Sequence, residues 1–286
     1  MLRKLFKNEF SATWKIMVCI FAVTLGLAEI RALFDRTGFL ETSLANTPFV
    51  DVAIKVLTFF FVVAMLILTA FCFIICAIRF YKTMYSEQGY LTHTLPVSPV
   101  ASFFVKVVTS FVWIFSSVIC FVLALVIQIA AEEKTNLFSV IVELVKGLGN
   151  KANIAELNAS IEPVLGCGVW GLLGCLLTFV VVAILYSIFW IYTSFTIGQL
   201  SNDHKVAWSV VAGFGLYIFG QILSLIGVVK LFQKLGLDFM ESIESAEELN
   251  MQAIQFFWLA ILLFAVIIVV ETIVDCIIVK KKINLQ

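Results

Sequence analysis

Two carboxylates stand where an apolar sequence has little use for them. Glu271 and Asp275 fall four residues apart inside the run 254–279. On a helix that spacing puts both on one face. A carboxylate inside a bilayer costs roughly a few kcal/mol unless it is paired or wetted. Two chemistries fit such a pair. It can relay protons or cations, or it can neutralise a basic side chain. Lys280, Lys281 and Lys282 follow, about one to three helical turns away at 1.5 Å per residue. A position so near the end of the run favours pairing with Lys15, Arg79 or Lys106 over a relay at mid-membrane.

Other reactive groups are sparse. The two histidines, His93 and His204, have no Cys or His neighbour in sequence. The seven cysteines lie in or beside apolar runs without a CxxC pair, so they read as small packing residues. No metal site is expected. The chain has no GxxxxGK[ST], no HExxH and no GxSxG. It is not expected to be an enzyme, and energy for any work must come from elsewhere.

The elements that position these residues are set by hydropathy. Of the 286 residues 62% are hydrophobic and 13% charged. A soluble domain is about 45–50% apolar and about 25% charged. Six apolar runs reach the roughly 20 residues that a membrane helix needs: 14–34, 52–78, 99–130, 164–198, 206–229 and 254–279. They do not alternate as barrel strands would. The expected fold is therefore an all-α integral membrane protein with six transmembrane helices, one domain over 1–286. The formal net charge is zero, so no nucleic-acid partner is indicated. "MLRKLFKNEF" places Leu2, Leu5, Phe6 and Phe10 against Arg3, Lys4 and Lys7. It predicts an amphipathic N-terminal helix on the membrane surface, followed by a retained first span.

Lys and Arg set the orientation. With the N-terminus inside, the inner side holds eleven and the longer outer connections hold eight. Both termini are then cytoplasmic. So are the connections after spans two and four, and the outer connections are 35–51, 131–163 and 230–253. In 131–163, Leu137, Val140, Ile141, Leu144 and Val145 predict an amphipathic helix that Gly147 would end. Asn158-Ala-Ser160 matches a glycosylation sequon, a pattern common by chance. The 230–253 segment is apolar first and acidic later, and reads as a solvated loop. In span five, Ser209 and Gly213, and Gly220 and Ser224, are spaced for close helix packing, within the chain or in a dimer.

The connection after span two, "YSEQGYLTHTLPVSP", is longer than a turn requires. Gly89 breaks or caps the helix before it. Pro96 disfavours helix at Leu95. Ser98 and Pro99 form an N-cap and first-turn pair for span three. Tyr90 and Leu91 are left as exposed apolar groups on a compact loop, which suits docking.

With Lys106 in "FVKVV" and with "SFTIGQLSNDHKVAWSVV" between spans four and five, this loop resembles the permease subunits of ABC-2 type exporters. The resemblance extends over the topology of nearly the whole chain. At motif level it is confined to these two loops. It implies a cytoplasmic coupling helix between spans two and three, seated on a separate ATPase subunit. Tyr85, Ser86, Glu87, Gln88, Gly89, Tyr90 and Leu91 would make that contact, with Asn202, His204 and Lys205 as a lesser one. ATP and magnesium would bind the partner ATPase, not this chain. A second permease, identical or paralogous, would complete the unit in the plasma (inner) membrane. Two other classes stay open: a self-sufficient carrier or channel using Glu271 and Asp275, and a non-transporting sensor or assembly partner.

Overall fold

The structure, a computed structural model, describes residues 2–36, 48–86, 89, 97–135, 137–165, 167–201, 203–234 and 253–281. Among them the chain forms helices α1 (Leu2–Arg36), α2 (Pro48–Met84), α3 (Pro99–Glu132), α4 (Leu137–Gly149), α5 (Lys151–Leu165), α6 (Val169–Gly198), α7 (Lys205–Lys234) and α8 (Ala253–Lys281), and no strand. Stretches of α1, α2, α3, α6, α7 and α8 are long and apolar enough to cross a bilayer, six in all. The protein is a multi-pass, all-α membrane protein.

Helices suit this solvent because their backbone groups are satisfied internally. The hydroxyls in the spans follow the same rule. Thr24, Thr69, Ser116, Thr178, Ser187 and Thr272 each donate to the carbonyl four residues earlier, at 2.7–3.0 Å. The outer surface is apolar in a way water would not allow. Phe59, Phe60 and Phe214 are each more than 60% exposed, which hydrocarbon surroundings explain.

Three boundaries differ from expectation. The N-terminal amphipathic segment is helical, but it runs without a break into the first span as α1. Gly147 does not end its helix, which continues to Gly149. Residues 151–165 form a helix of their own, so span four begins at Val169 rather than 164. The restart of span three is as expected. Ser98 Oγ accepts the Ala101 N–H at 3.3 Å, and α3 begins at Pro99. The outer connection expected over 35–51, and the one over 230–253 beyond Lys234, lie largely outside the described residues.

The chain divides into two compact units. The first comprises Met1–Ile78 and Val108–Gly149. Its core is built on small residues: Ala28, Ala32, Ala124 and Ala131, all at most 1% exposed, with Met65 and Ile127. Four alanines let the helix backbones approach closely. The approach is fastened by Gln128, whose Nε2 donates to the Ala28 carbonyl at 2.7 Å. Nearer the N-terminus, Phe10 stacks on Trp113 with ring centroids 4.4 Å apart. The start of α1 is therefore held against α3 and not only against lipid.

The second unit comprises Arg79–Val107 and Asn150–Gln286. It contains the last turns of α2, the first turns of α3, and α5 to α8. Helix α6 packs on both α7 and α8. Phe80 lies flat on Tyr192, with centroids 3.6 Å apart and planes 7° apart, and Phe103 meets both rings edge-on. Asn158 of α5 reaches the start of α6, where its Oδ1 accepts the Val169 N–H at 2.8 Å.

Candidate functional site

The polar residues of the second unit converge where α2 ends. Tyr85 follows the last residue of α2 and is 6% exposed, with its ring edge against Phe80. Its hydroxyl lies 2.8 Å from Thr196 Oγ1 of α6. Thr196 Oγ1 also lies 2.8 Å from the Tyr192 carbonyl and donates to it. Either hydroxyl can donate in the contact between Tyr85 and Thr196. Burial pushes the Tyr85 phenol up from its ordinary value; the Thr196 hydrogen bond opposes this, and the nearby Asp275 charge adds to it.

Thr193 precedes Thr196 by three residues and so shares its helix face. Its hydroxyl donates to Asp275 Oδ2 at 2.9 Å. The Thr196 hydroxyl lies within reach of the same carboxylate. Asp275 is fully buried and Glu271 is 3% exposed. One oxygen of each, Asp275 Oδ1 and Glu271 Oε2, has no hydrogen-bond partner among the described residues. The hydrogen bond found at Asp275 thus comes from a threonine, where a basic partner was expected. Lys106, one of the candidate partners, is 4% exposed and donates to Thr83 Oγ1 at 2.6 Å. That bond ties the start of α3 to the end of α2.

The connection between α2 and α3 leaves from this cluster. Tyr85 was expected to face an ATPase, but its side chain points into the bundle and is occupied there, because its hydroxyl is satisfied by Thr196. Ser86 is half-buried, its carbonyl accepts the Gly89 N–H at 2.7 Å, and Gly89 itself is buried. Glu87, Gln88, Tyr90 and Leu91 lie outside the described residues. So does Asn202 in the second connection. There His204 is exposed, with φ of 52° in the left-handed region, uncommon for a residue other than glycine. Its carbonyl accepts the Trp208 N–H at 3.1 Å and opens α7, whose first residue is the half-buried Lys205.

Three of the four small residues of α7 pack against α6 in the same chain. Ser209 meets Gly198, where an added Cβ would sit 2.7 Å from the Ser209 nitrogen. Gly213 faces Ser194, and its carbonyl accepts from Trp190 Nε1 at 3.1 Å. Gly220 faces the Tyr186 hydroxyl. Ser224 is different: its hydroxyl turns back to the Gln221 carbonyl at 3.2 Å. Beside the small residues an apolar cleft of about 470 Å³ opens between α6 and α7, walled by Trp190, Phe195, Val210, Phe214 and Tyr217.

Sequence reasoning found Glu271 and Asp275 but not Thr193, Thr196 or the inward turn of Tyr85. Gln199, within the quoted "SFTIGQLSNDHKVAWSVV", is 3% exposed, and its Nε2 has no partner among the described residues. The available signal was a cluster of hydroxyls, Thr193, Ser194 and Thr196, in the last turns of an apolar span. No family model matches the chain, and no curated protein or solved structure is similar to it.

Proposed function

We propose that the chain is the membrane-spanning permease subunit of an ATP-driven ABC-2 type exporter in the plasma (inner) membrane. It works with a separate ATPase subunit, which holds ATP and magnesium, and with a second permease copy or paralogue. The observation that carries this reading is how the connection after α2 is anchored. It departs at Tyr85, bonded to Thr196 of α6. It returns through α3, where Lys106 is bonded back to Thr83. A force applied to this connection is delivered to three spans through buried hydrogen bonds, which is what a coupling element needs. The likeness of "YSEQGYLTHTLPVS" to coupling loops of such permeases supports the same role.

The test is recovery of the motor. The tagged chain is purified in mild detergent from membranes of its own cell, after light crosslinking. An ATPase with a P-loop is expected to accompany it. Replacing Tyr90 and Leu91 together with Asp should remove the ATPase while the chain still inserts. Recovery of the chain without any ATPase would overturn the reading.

A further inference from the structure

Glu271 and Asp275 are more deeply buried than the rest of their helix requires. Each has one carboxylate oxygen bound to nothing among the described residues. A buried polar atom without a partner is rare, and an unpaired buried charge is costly. The surroundings offer more oxygen. The Thr193 hydroxyl is on Asp275 at 2.9 Å, and the Thr196 hydroxyl is beside it, bonded in turn to Tyr85. Two carboxylates from α8, two hydroxyls from α6 and a phenol from the end of α2 thus meet in one unit.

Neither unpartnered oxygen accepts a hydrogen bond from a lysine or arginine among the described residues. Beside the carboxylates stand the phenols of Tyr85 and Tyr186 and the thiol of Cys276, groups that carry no positive charge in any protonation state. Lys106 of α3 donates to Thr83. What the cluster lacks is a small positive charge with a taste for oxygen. A divalent ion needs six or more oxygens or a full set of waters. The intact helices release no backbone carbonyls here, so a single charge fits better.

We propose that Glu271 and Asp275, with Thr193, Thr196 and Tyr85, form a buried site for one small monovalent cation, an alkali ion or a proton. The carboxylates supply the countercharge and the hydroxyls the remaining oxygens. Because Tyr85 lies at the root of the connection after α2, occupancy also sets how firmly that root is held. The site stands independently of any ATPase, so it is tested without one.

The full chain is reconstituted in lipid nanodiscs and titrated with radioactive sodium in a scintillation proximity assay. Saturable binding is expected, displaced by unlabelled sodium and weakened by acid. Asp275→Asn should weaken it at least about tenfold, Thr193→Ala should weaken it less, and Ser224→Ala should leave it intact. The proton source predicts the alternative: no sodium binding, but an infrared band of a protonated carboxyl that titrates with pH and disappears in Asp275→Asn. Variants are compared only if they elute as single species. The wild-type measurements alone decide the matter if the variants do not fold. Neither sodium binding nor a titrating carboxyl band in the wild type, or persistence of the observed signal in the Glu271→Gln, Asp275→Asn double variant, would overturn the proposal.

Discussion

The hydroxyls of Tyr85 and Thr196 lie 2.8 Å apart, buried, and join the end of the second span to the last turn of the fourth. Tyr85→Phe removes the hydroxyl and keeps the ring against Phe80. The expected cost is about 1 kcal/mol, seen as a fall of about 2–4 °C in the unfolding midpoint in detergent. An unchanged midpoint would mean the bond contributes nothing.

The same phenol gives a dependence on pH. Its value is raised in the folded chain, from an ordinary 10.0. The folded state therefore keeps this proton at pH values where the unfolded chain loses it. Stability from this group is complete below about pH 10 and declines as the pH rises further. Midpoints recorded from pH 8 to 11 should fall less steeply in Tyr85→Phe than in the wild type.

Glycines rank by what a methyl group would meet. In Gly198→Ala the new Cβ falls 2.7 Å from the Ser209 nitrogen and 2.8 Å from its Cα. Backbone cannot step aside as a side-chain tip can, so α6 and α7 must part. A loss of roughly 1–3 kcal/mol is expected. Gly26→Ala meets nothing within 4 Å and should be neutral or stabilising by up to ~1 kcal/mol. Thermal unfolding of the two variants checks the order.

Helix α6 begins at Val169, its N-cap Gly168 has no side chain to cap it, and Asn158 of α5 supplies the missing acceptor. Asn158→Ala should cost about 1 kcal/mol and speed hydrogen exchange at Val169. A normal exchange rate there would show that water caps the helix equally well.

At the N-terminus, Phe10→Ala should lower stability by roughly 1–2 kcal/mol through the lost contact with Trp113. Leu2→Ala, at a side chain 51% exposed, should change it by less than about 0.5 kcal/mol. Equal small effects would mean that the first turns of α1 rest on lipid alone.

The spans were legible because each is a continuous apolar run, and Ser98 with Pro99 marked the start of α3 to the residue. Helix α5 was not legible. Its sequence, "KANIAELNASIEPVL", mixes polar groups and a proline into a short stretch, and its place depends on Asn158 meeting Val169. The carboxylates at 271 and 275 stood out by charge. Their partners did not, since a threonine in an apolar span usually bonds its own helix, as Thr24 and Thr272 do here. Thr193 breaks that habit only because Asp275 arrives beside it. Tyr85 was read as surface because it sits in a polar loop by sequence, whereas its ring edge on Phe80 and its hydroxyl on Thr196 draw it inward.

The pairing of Thr193 with Asp275 has a consequence for the birth of the molecule. The two residues are 82 positions apart, and Asp275 is in the final span. At about 5–20 residues per second, the ribosome needs roughly 4–16 s to make the intervening chain. Throughout that interval span four is in the membrane without its partner, and α8 must then enter carrying two acids. Helix α8 brings the carboxylate that Thr193 awaits, and a chain cut short before residue 275 leaves that hydroxyl without its acceptor.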